Sequence, residues 1–193
     1  MNLPNQLSIA RLLLTLPFVV LCYASVPNGQ SWALIVFLIA SFTDYLDGTI
    51  ARRWKLVTNF GKLFDPLADK ILMASALTML AIEKQVPAWA VIAILGREFF
   101  VTGIRQIAVS QGVVLAAEKL GKHKMVWQVI TVTYFLTKMA SSEPLLAFTK
   151  PVFAWKPLSP EVFGNFTIYF TVLLTMVSGF SYFWKNRRLF SDA

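Results

Sequence analysis

Four of the five aspartates in this 193-residue chain lie between positions 44 and 69, and their spacing suits a metal-dependent reaction. Asp44 and Asp47 are three residues apart, and Asp65 and Asp69 are four apart, so each pair shares one face of a helix. Hard divalent ions such as Mg²⁺ or Mn²⁺ prefer carboxylate ligands, no cysteine lies nearby, and the only histidine, His123, is remote in sequence. Two divalent ions would neutralise four carboxylates. Paired ions about 3.5–4 Å apart commonly clamp the attacking and leaving oxygens in phosphoryl transfer.

Small residues accompany the aspartates on both predicted helix faces. Gly48 and Ala51 continue the first face, and Gly61 and Ala68 continue the second. Such residues leave space for a phosphate or a nucleotide to approach the backbone. Arg52 follows directly and offers a bidentate phosphate donor. The pattern therefore predicts an anionic, phosphate-bearing substrate.

Two other interpretations of the aspartates stay open on spacing alone. Asp65 or Asp69 could be a helix-end charge that pairs with Lys62 or Lys70 at the membrane surface. Carboxylates at helix ends also mark ion pathways, which would make the protein a cation or proton transporter. Against a transporter, all four aspartates lie near one predicted membrane face, and no carboxylate relay continues across.

The elements that must position these aspartates are predicted to be membrane helices. The chain is 56% hydrophobic and 15% charged, with a mean hydropathy of +0.61, whereas soluble domains are about a quarter charged. This composition excludes a disordered chain and an ordinary soluble domain, and it favours an all-α integral membrane protein with one domain over residues 1–193. A crossing needs roughly 20 apolar residues, and six segments qualify: Leu7–Val26, Ser31–Arg52, Gly61–Ile82, Pro87–Ala108, Met125–Ala140 and Val162–Trp184.

The orientation follows from lysines and arginines in short connections, which favour the cytoplasmic side. They lie between segments two and three, between four and five, and after six: Arg52, Arg53, Lys55, Lys62, Lys119, Lys122, Lys124, Lys185, Arg187 and Arg188. Both termini, and the aspartates at the ends of segments two and three, are therefore predicted to face the cytoplasm. Lys138 and Glu143 crowd the end of the fifth segment, so five spans plus an interfacial helix stay possible. The net charge of +8 predicts contact with anionic membrane lipids.

The aspartates belong to a longer pattern that resembles a known family. Residues 44–69 fit D-x-x-D-G-x-x-A-R-x8-G-x-x-x-D-x-x-x-D at all eight fixed positions. This is the signature of the CDP-alcohol phosphotransferases. The resemblance implies a six-helix membrane enzyme of a homodimeric kind, which moves a phosphatidyl or similar group from a CDP-linked donor to an alcohol and releases CMP. It offers no role for nucleic acid.

The same resemblance assigns roles residue by residue. It implies that Asp44, Asp47, Asp65 and Asp69 hold two divalent cations, Mg²⁺ or Mn²⁺, and that Asp69 is also the general base that takes the acceptor's hydroxyl proton. It implies a CDP site that contains Asn5, Gly48, Arg52, Thr58 and Gly61.

Further stretches resemble one bacterial branch of the family and imply a bacterial plasma-membrane location. They are residues 2–11, 58–70, 97–105 and 120–124. The branch joins CDP-diacylglycerol to sn-glycerol 3-phosphate. A phosphorylated acceptor needs cations beyond those used on CDP, so Arg97, Arg105, Lys122 and Lys124 are predicted to bind the acceptor phosphate. Contact with lipid headgroups stays open as another interpretation of the two lysines. Met125 stands where similar proteins commonly carry threonine, so inositol phosphate, serine or phosphatidylglycerol stay open as acceptors.

Overall fold

The fold is that of a computed structural model, which describes residues 3–24, 26–54, 59–113, 115 and 119–190. For residues 3–8, 44–54, 59–67, 69, 119, 188 and 190 it describes the backbone alone. Over the described residues the chain is all-helical and contains no strand. The helices are α1 (Leu3–Tyr23), α2 (Gly29–Trp54), α3 (Asn59–Ile82), α4 (Ala88–Ser110), α5 (Lys119–Ala140), α6 (Lys150–Ala154) and α7 (Asn165–Asn186). The prediction of an all-α protein is confirmed.

Six of these helices are long, and each coincides with one of the six predicted segments. The largest difference is at α5, which begins at Lys119 rather than at Met125. Lysine and leucine are good helix formers, and Lys124 contacts Glu98 of α4, so the helix extends through the basic stretch. The placement of Lys122 and Lys124 in a connection was therefore wrong, because both lie on the first turns of α5.

The proline-rich segment between α5 and α7 forms short helical pieces. It contains 3₁₀ helices at Pro144–Thr149 and Lys156–Leu158, the five-residue α6, and a π-helical turn at Pro160–Gly164. Proline removes a backbone donor and clashes with the preceding turn. The segment is therefore divided into short pieces and is not one continuous helix.

Membrane crossing is supported by length and composition at one place. In the part of the chain that the structure describes, one helical stretch, Lys156–Asn186, is long and apolar enough to cross a membrane. Shorter apolar helical stretches lie at Ile9–Tyr23, Gly29–Thr43, Lys70–Ile82 and Pro144–Ala154. Crossing by the other predicted segments stays a prediction.

The helices pack as two neighbouring groups that share one core. α1 packs along both α2 and α3, while α4 and α5 both pack on α7. Threonines join α5 to α7: the Thr131 hydroxyl lies 2.9 Å from the Thr171 hydroxyl and 3.3 Å from the Thr167 carbonyl oxygen. Small polar residues of this kind are typical of helix contacts inside membranes.

The connection after α5 also fixes the start of α2. The two carboxylate oxygens of Glu143 accept hydrogen bonds from the backbone N–H groups of Gln30 and Ser31, at 2.9 and 2.7 Å. Ser31 donates a further bond from its hydroxyl at 2.6 Å. These bonds satisfy donors that a helix N-terminus leaves unpaired. Glu143 therefore acts as a cap from a distant part of the chain.

Candidate active site

The four aspartates lie on continuous helices, as their spacing required. Asp44 and Asp47 belong to the C-terminal half of α2, and Asp65 and Asp69 belong to the first three turns of α3. The backbone thus places each pair on one helix face. The aspartate side chains lie outside the described residues, so their ligation of metal stays a prediction.

The predicted CDP-binding residues are placed by the backbone only. Asn5 lies in α1, Gly48 and Arg52 lie in α2, and Gly61 lies in α3. Thr58 lies outside the described residues. The structure therefore puts Gly48, Arg52 and Gly61 on the two helices that carry the aspartates, and it puts Asn5 on α1, which packs against both. Their contacts with CDP stay a prediction.

A buried arginine lies at the level of Asp44, and the spacing argument did not find it. α1 and α2 run antiparallel, since the rings of Phe18 and Phe37 lie 6.0 Å apart while Gln30 donates a hydrogen bond to the Cys22 carbonyl oxygen. Arg11 lies seven residues before Phe18 on α1, and Asp44 lies seven residues after Phe37 on α2. Because both helices rise by the same distance per residue, Arg11 and Asp44 lie at the same level. Arg11 is fully buried, with 0% exposure. A buried guanidinium needs an anion, so Arg11 adds a cation to the aspartate end of the bundle.

A basic cavity of about 200 Å³ opens beside this end of the bundle. Its walls come from α3, α4 and α5, and its charged lining is Lys70, Arg97, Glu98, Arg105, Lys122 and Lys124. The described α3 residues of the wall include Lys70, the residue after Asp69. All four residues predicted to bind the acceptor phosphate line this one cavity; that they bind it stays a prediction.

A carboxylate pairs two of these cations. Glu98 forms an ion pair with Lys124 across the α4–α5 contact and a second one with Arg97 Nη1 at 3.2 Å. The Lys124 side chain is 4% exposed, and those of Arg97 and Glu98 are 10% and 18% exposed. Glu98 thus joins its chain neighbour on α4 to a residue of α5.

Helix α7 fixes the other side of Arg97. Arg97 Nη2 donates a 2.6 Å hydrogen bond to Ser178 Oγ. A Cβ placed on Gly179 would lie 2.8 Å from Arg97 Cγ, closer than real Cβ atoms approach, so the arginine stem occupies the space that this glycine leaves. Both α7 residues are buried.

The remaining cations of the cavity have their own contacts. Arg105 Nε donates a 3.1 Å hydrogen bond to the Tyr182 hydroxyl, and the guanidinium carbon lies 5.4 Å from the centre of that ring. Lys70 donates to the hydroxyl of Thr102 on α4. Lys122 is exposed at the cavity mouth. The cavity thus presents cations from three helices, with the deepest held by neighbouring side chains.

An apolar groove of about 500 Å³ lies between α4 and α7, on the other side of Arg97. Its walls are Ile92, Phe100, Met176, Phe180 and smaller neighbours. Arg97 lines both the groove and the basic cavity. A cation thus separates an apolar surface from a polar space.

The chemistry of the predicted ligands, the four aspartates, fits a divalent metal ion. Two pairs of carboxylates on two helices are hard oxygen ligands, which Mg²⁺ and Mn²⁺ accept. Among the residues whose side chains are described, no three His, Cys, Asp or Glu side chains are grouped closely enough to hold an ion. The metal prediction therefore depends on the aspartate motif.

Helical bundle, aspartate pattern and basic cavity together define a class of transferase, and comparison with known proteins supports that class. The family profile described as CDP-alcohol phosphatidyltransferase matches residues 1–178. The chain belongs to this family, whose members generally use divalent metal cations and are membrane-associated.

Several individual relatives share one name, CDP-diacylglycerol–glycerol-3-phosphate 3-phosphatidyltransferase. The relative from Bacillus subtilis (strain 168) is 39% identical, over 96% of this chain and 95% of its own length. Those from Rickettsia typhi and Rickettsia felis are 31% and 30% identical, over 94% and 98% of this chain and 95% and 97% of their own lengths. The chain is therefore similar to these transferases along nearly its whole length.

Proposed function

We propose that the protein is a phosphatidylglycerophosphate synthase. It transfers the phosphatidyl group of CDP-diacylglycerol to sn-glycerol 3-phosphate and releases phosphatidylglycerol phosphate and CMP. The observation that carries the proposal is the basic cavity next to the aspartate motif, since Arg97, Arg105 and Lys124 converge beside the α3 turn that carries Asp69. A phosphorylated acceptor brings a second anion to a site that already binds a diphosphate, and these cations are suited to it.

The chain's own residues divide the reaction between the two regions. Arg97 and Lys124 bind the acceptor phosphate and so orient the attacking hydroxyl of glycerol 3-phosphate toward α3. Asp69 takes the hydroxyl proton as the oxygen attacks the lipid-linked phosphorus of the donor, and the bond to the CMP oxygen breaks. Gly48, Gly61 and Arg52 hold the donor's CDP portion. When bound, divalent cations neutralise the diphosphate and stabilise charge that develops on the leaving oxygen.

The proposed setting is the plasma membrane of a bacterium. Six helices, α1 to α5 and α7, cross it with both termini and the site on the cytoplasmic side, and two Mg²⁺ or Mn²⁺ ions occupy the aspartate cluster. Large apolar side chains on outward helix faces support lipid contact, among them Leu16, Phe99 and Phe180 at 67%, 65% and 67% exposure. Phe180 also lines the groove beside Arg97, so this groove opens on an outward face of α7. A homodimer is the proposed assembly.

The test is CMP release from the purified full-length protein in nanodiscs of anionic lipid. The protein receives CDP-diacylglycerol, Mn²⁺ and one acceptor at a time: glycerol 3-phosphate, inositol phosphate, serine or phosphatidylglycerol. We expect CMP with glycerol 3-phosphate alone, and chelation of the metal to stop its release. Release with another acceptor but none with glycerol 3-phosphate would contradict the proposal. Ion flux across a liposome without CMP release would support a transporter instead.

A further inference from the structure

We infer that Glu98 is a positioning residue for the acceptor phosphate: it holds Arg97 and Lys124 next to each other at the wall of the basic cavity. The inference depends on the proposed function for the identity of the acceptor. Its structural basis is a carboxylate that contacts two of the cavity's cations at once, one on its own helix and one on α5.

Burial gives this carboxylate a role. Lys124 has a side chain that is only 4% exposed. An ammonium group removed from water loses several kcal/mol of hydration unless an anion compensates it. Glu98 is that anion in the described part of the cavity, since it is the carboxylate that contacts Lys124.

Glu98 also lets two like charges lie close together. Arg97 and Lys124 both contact the same carboxylate, and the Arg97 guanidinium lies beside the start of α5, where a Cβ added to Gly121 would be in ordinary contact with Arg97 Nη2 at 3.9 Å. Two cations that contact one carboxylate lie close enough to repel each other in a medium of low dielectric constant. With the carboxylate between them, both stay beside the space where a phosphate can bind.

The two cations differ in how they are otherwise held. Arg97 is fixed by Ser178 and by its fit against Gly179, both on α7. Lys124 has a flexible four-carbon side chain, and its contact with Glu98 is an ion pair across the α4–α5 contact. Removing the carboxylate should therefore displace Lys124 more than Arg97.

A charge argument without positioning predicts the opposite result. Among the residues whose side chains are described, the charged lining of the cavity consists of five cations, Lys70, Arg97, Arg105, Lys122 and Lys124, and one carboxylate, which gives these residues a formal charge of +4. If Glu98 were only a nearby negative charge, its neutralisation would strengthen phosphate binding. If Glu98 positions Lys124, neutralisation weakens phosphate binding. The sign of the change distinguishes the two roles.

The experiment measures CMP release by Glu98→Gln in nanodiscs against glycerol 3-phosphate and CDP-diacylglycerol in turn. We expect the KM for glycerol 3-phosphate to rise about tenfold or more, as for loss of a charged hydrogen bond. We also expect kcat to stay within about threefold and the KM for CDP-diacylglycerol to be unchanged. Glu98→Asp should recover part of the affinity. Glu83→Gln, an exposed carboxylate in the α3–α4 connection, is the matched control.

A double-mutant cycle with Lys124→Gln tests whether Glu98 acts through Lys124. We expect the double variant to have the KM of Lys124→Gln alone. If Glu98→Gln alone fails to fold, the double variant, which lacks both charges, is compared with Lys124→Gln instead. An unchanged or lower KM in Glu98→Gln, or independent effects in the cycle, would overturn the inference.

A wild-type protein that releases no CMP with glycerol 3-phosphate would contradict the proposed function instead. Inorganic phosphate is then the probe, and its protection of the protein against thermal unfolding is measured in wild type and Glu98→Gln. Weaker protection in the variant supports the positioning role, and equal or stronger protection overturns it.

Discussion

The aspartate end of α2 and α3 and the basic cavity beside it are built in different ways. The aspartates lie on two consecutive helices, and their faces follow from spacing within each helix. The cavity takes Lys70 from α3, Arg97 and Arg105 from α4, and Lys124 from α5, with Ser178 of α7 supporting it. Its geometry thus depends on how distant helices pack.

The difference shows how the site tolerates change. In the proposed mechanism, metal ligation by the aspartates requires four fixed donors, so each one is expected to be essential. The proposed phosphate binding in the cavity is shared among several cations with different burial and support. Loss of one cation is therefore expected to weaken binding by a graded amount.

The strongest test of the aspartate region is Asp69→Asn. Asparagine keeps the shape of the side chain but cannot accept the hydroxyl proton as a carboxylate does. We expect CMP release to fall by at least about 100-fold, the usual contribution of a general base. The measurement is the initial rate at saturating donor, acceptor and Mn²⁺.

The control for Asp69→Asn is Glu161→Gln, an exposed carboxylate before α7 that should leave the rate unchanged. Thermal unfolding must show that Asp69→Asn is folded. A folded Asp69→Asn protein with the wild-type rate would remove Asp69 from the proposed chemistry.

The cavity is tested by Lys124→Met against Lys122→Met. Lys124 is 4% exposed and ion-paired inside the wall, whereas Lys122 is exposed at the mouth. We expect the KM for glycerol 3-phosphate to rise about 10- to 100-fold for Lys124→Met and about fivefold or less for Lys122→Met, since exposed ion pairs contribute little.

Steady-state kinetics against glycerol 3-phosphate provides the measurement, with exposed Lys150→Met as the reference for loss of one positive charge. Equal effects at Lys122 and Lys124 would show that burial does not determine how much each cation of the cavity contributes to binding of glycerol 3-phosphate. That result would remove the contrast between the two regions.

These two regions also explain what could be predicted from the sequence. The aspartate pattern was recognisable because helical spacing within residues 44–69 determines which residues share a face. The six long helices followed from apolar length. Residue type singled out Arg97 and Lys124, but their common contact with Glu98 depends on the packing of α4 on α5. Gly179 carried no signal in the sequence, since its role is to leave space for the stem of a residue on another helix.

The α7 support of Arg97 is tested by Gly179→Ala. The new methyl group would lie 2.8 Å from Arg97 Cγ, near the backbone end of the side chain, so Arg97 must shift. We expect a loss of about 1–3 kcal/mol in the free energy of unfolding, as for overpacking, and a severalfold rise in the KM for glycerol 3-phosphate.

Gly96→Ala is the matched control because a Cβ there would meet nothing within 4 Å. It adds the same methyl group to α4, beside the same arginine, and should leave stability the same or slightly higher. Thermal unfolding and acceptor kinetics are measured for both variants. If Gly96→Ala and Gly179→Ala behave alike, close packing against α7 does not fix Arg97.

The smallest expected effect lies away from both regions, at Glu143→Gln. Glu143 caps α2 at Gln30 and Ser31, and Ser31 is thirteen residues, or about 20 Å of helix, from Asp44. An amide offers one acceptor oxygen in place of two and lacks the charge that favours a helix N-terminus. We expect a loss of about 1 kcal/mol in the free energy of unfolding with both KM values unchanged. A change in the KM for glycerol 3-phosphate would show that the N-terminal end of α2 is coupled to the cavity, and that α2 does more than hold its aspartates in place.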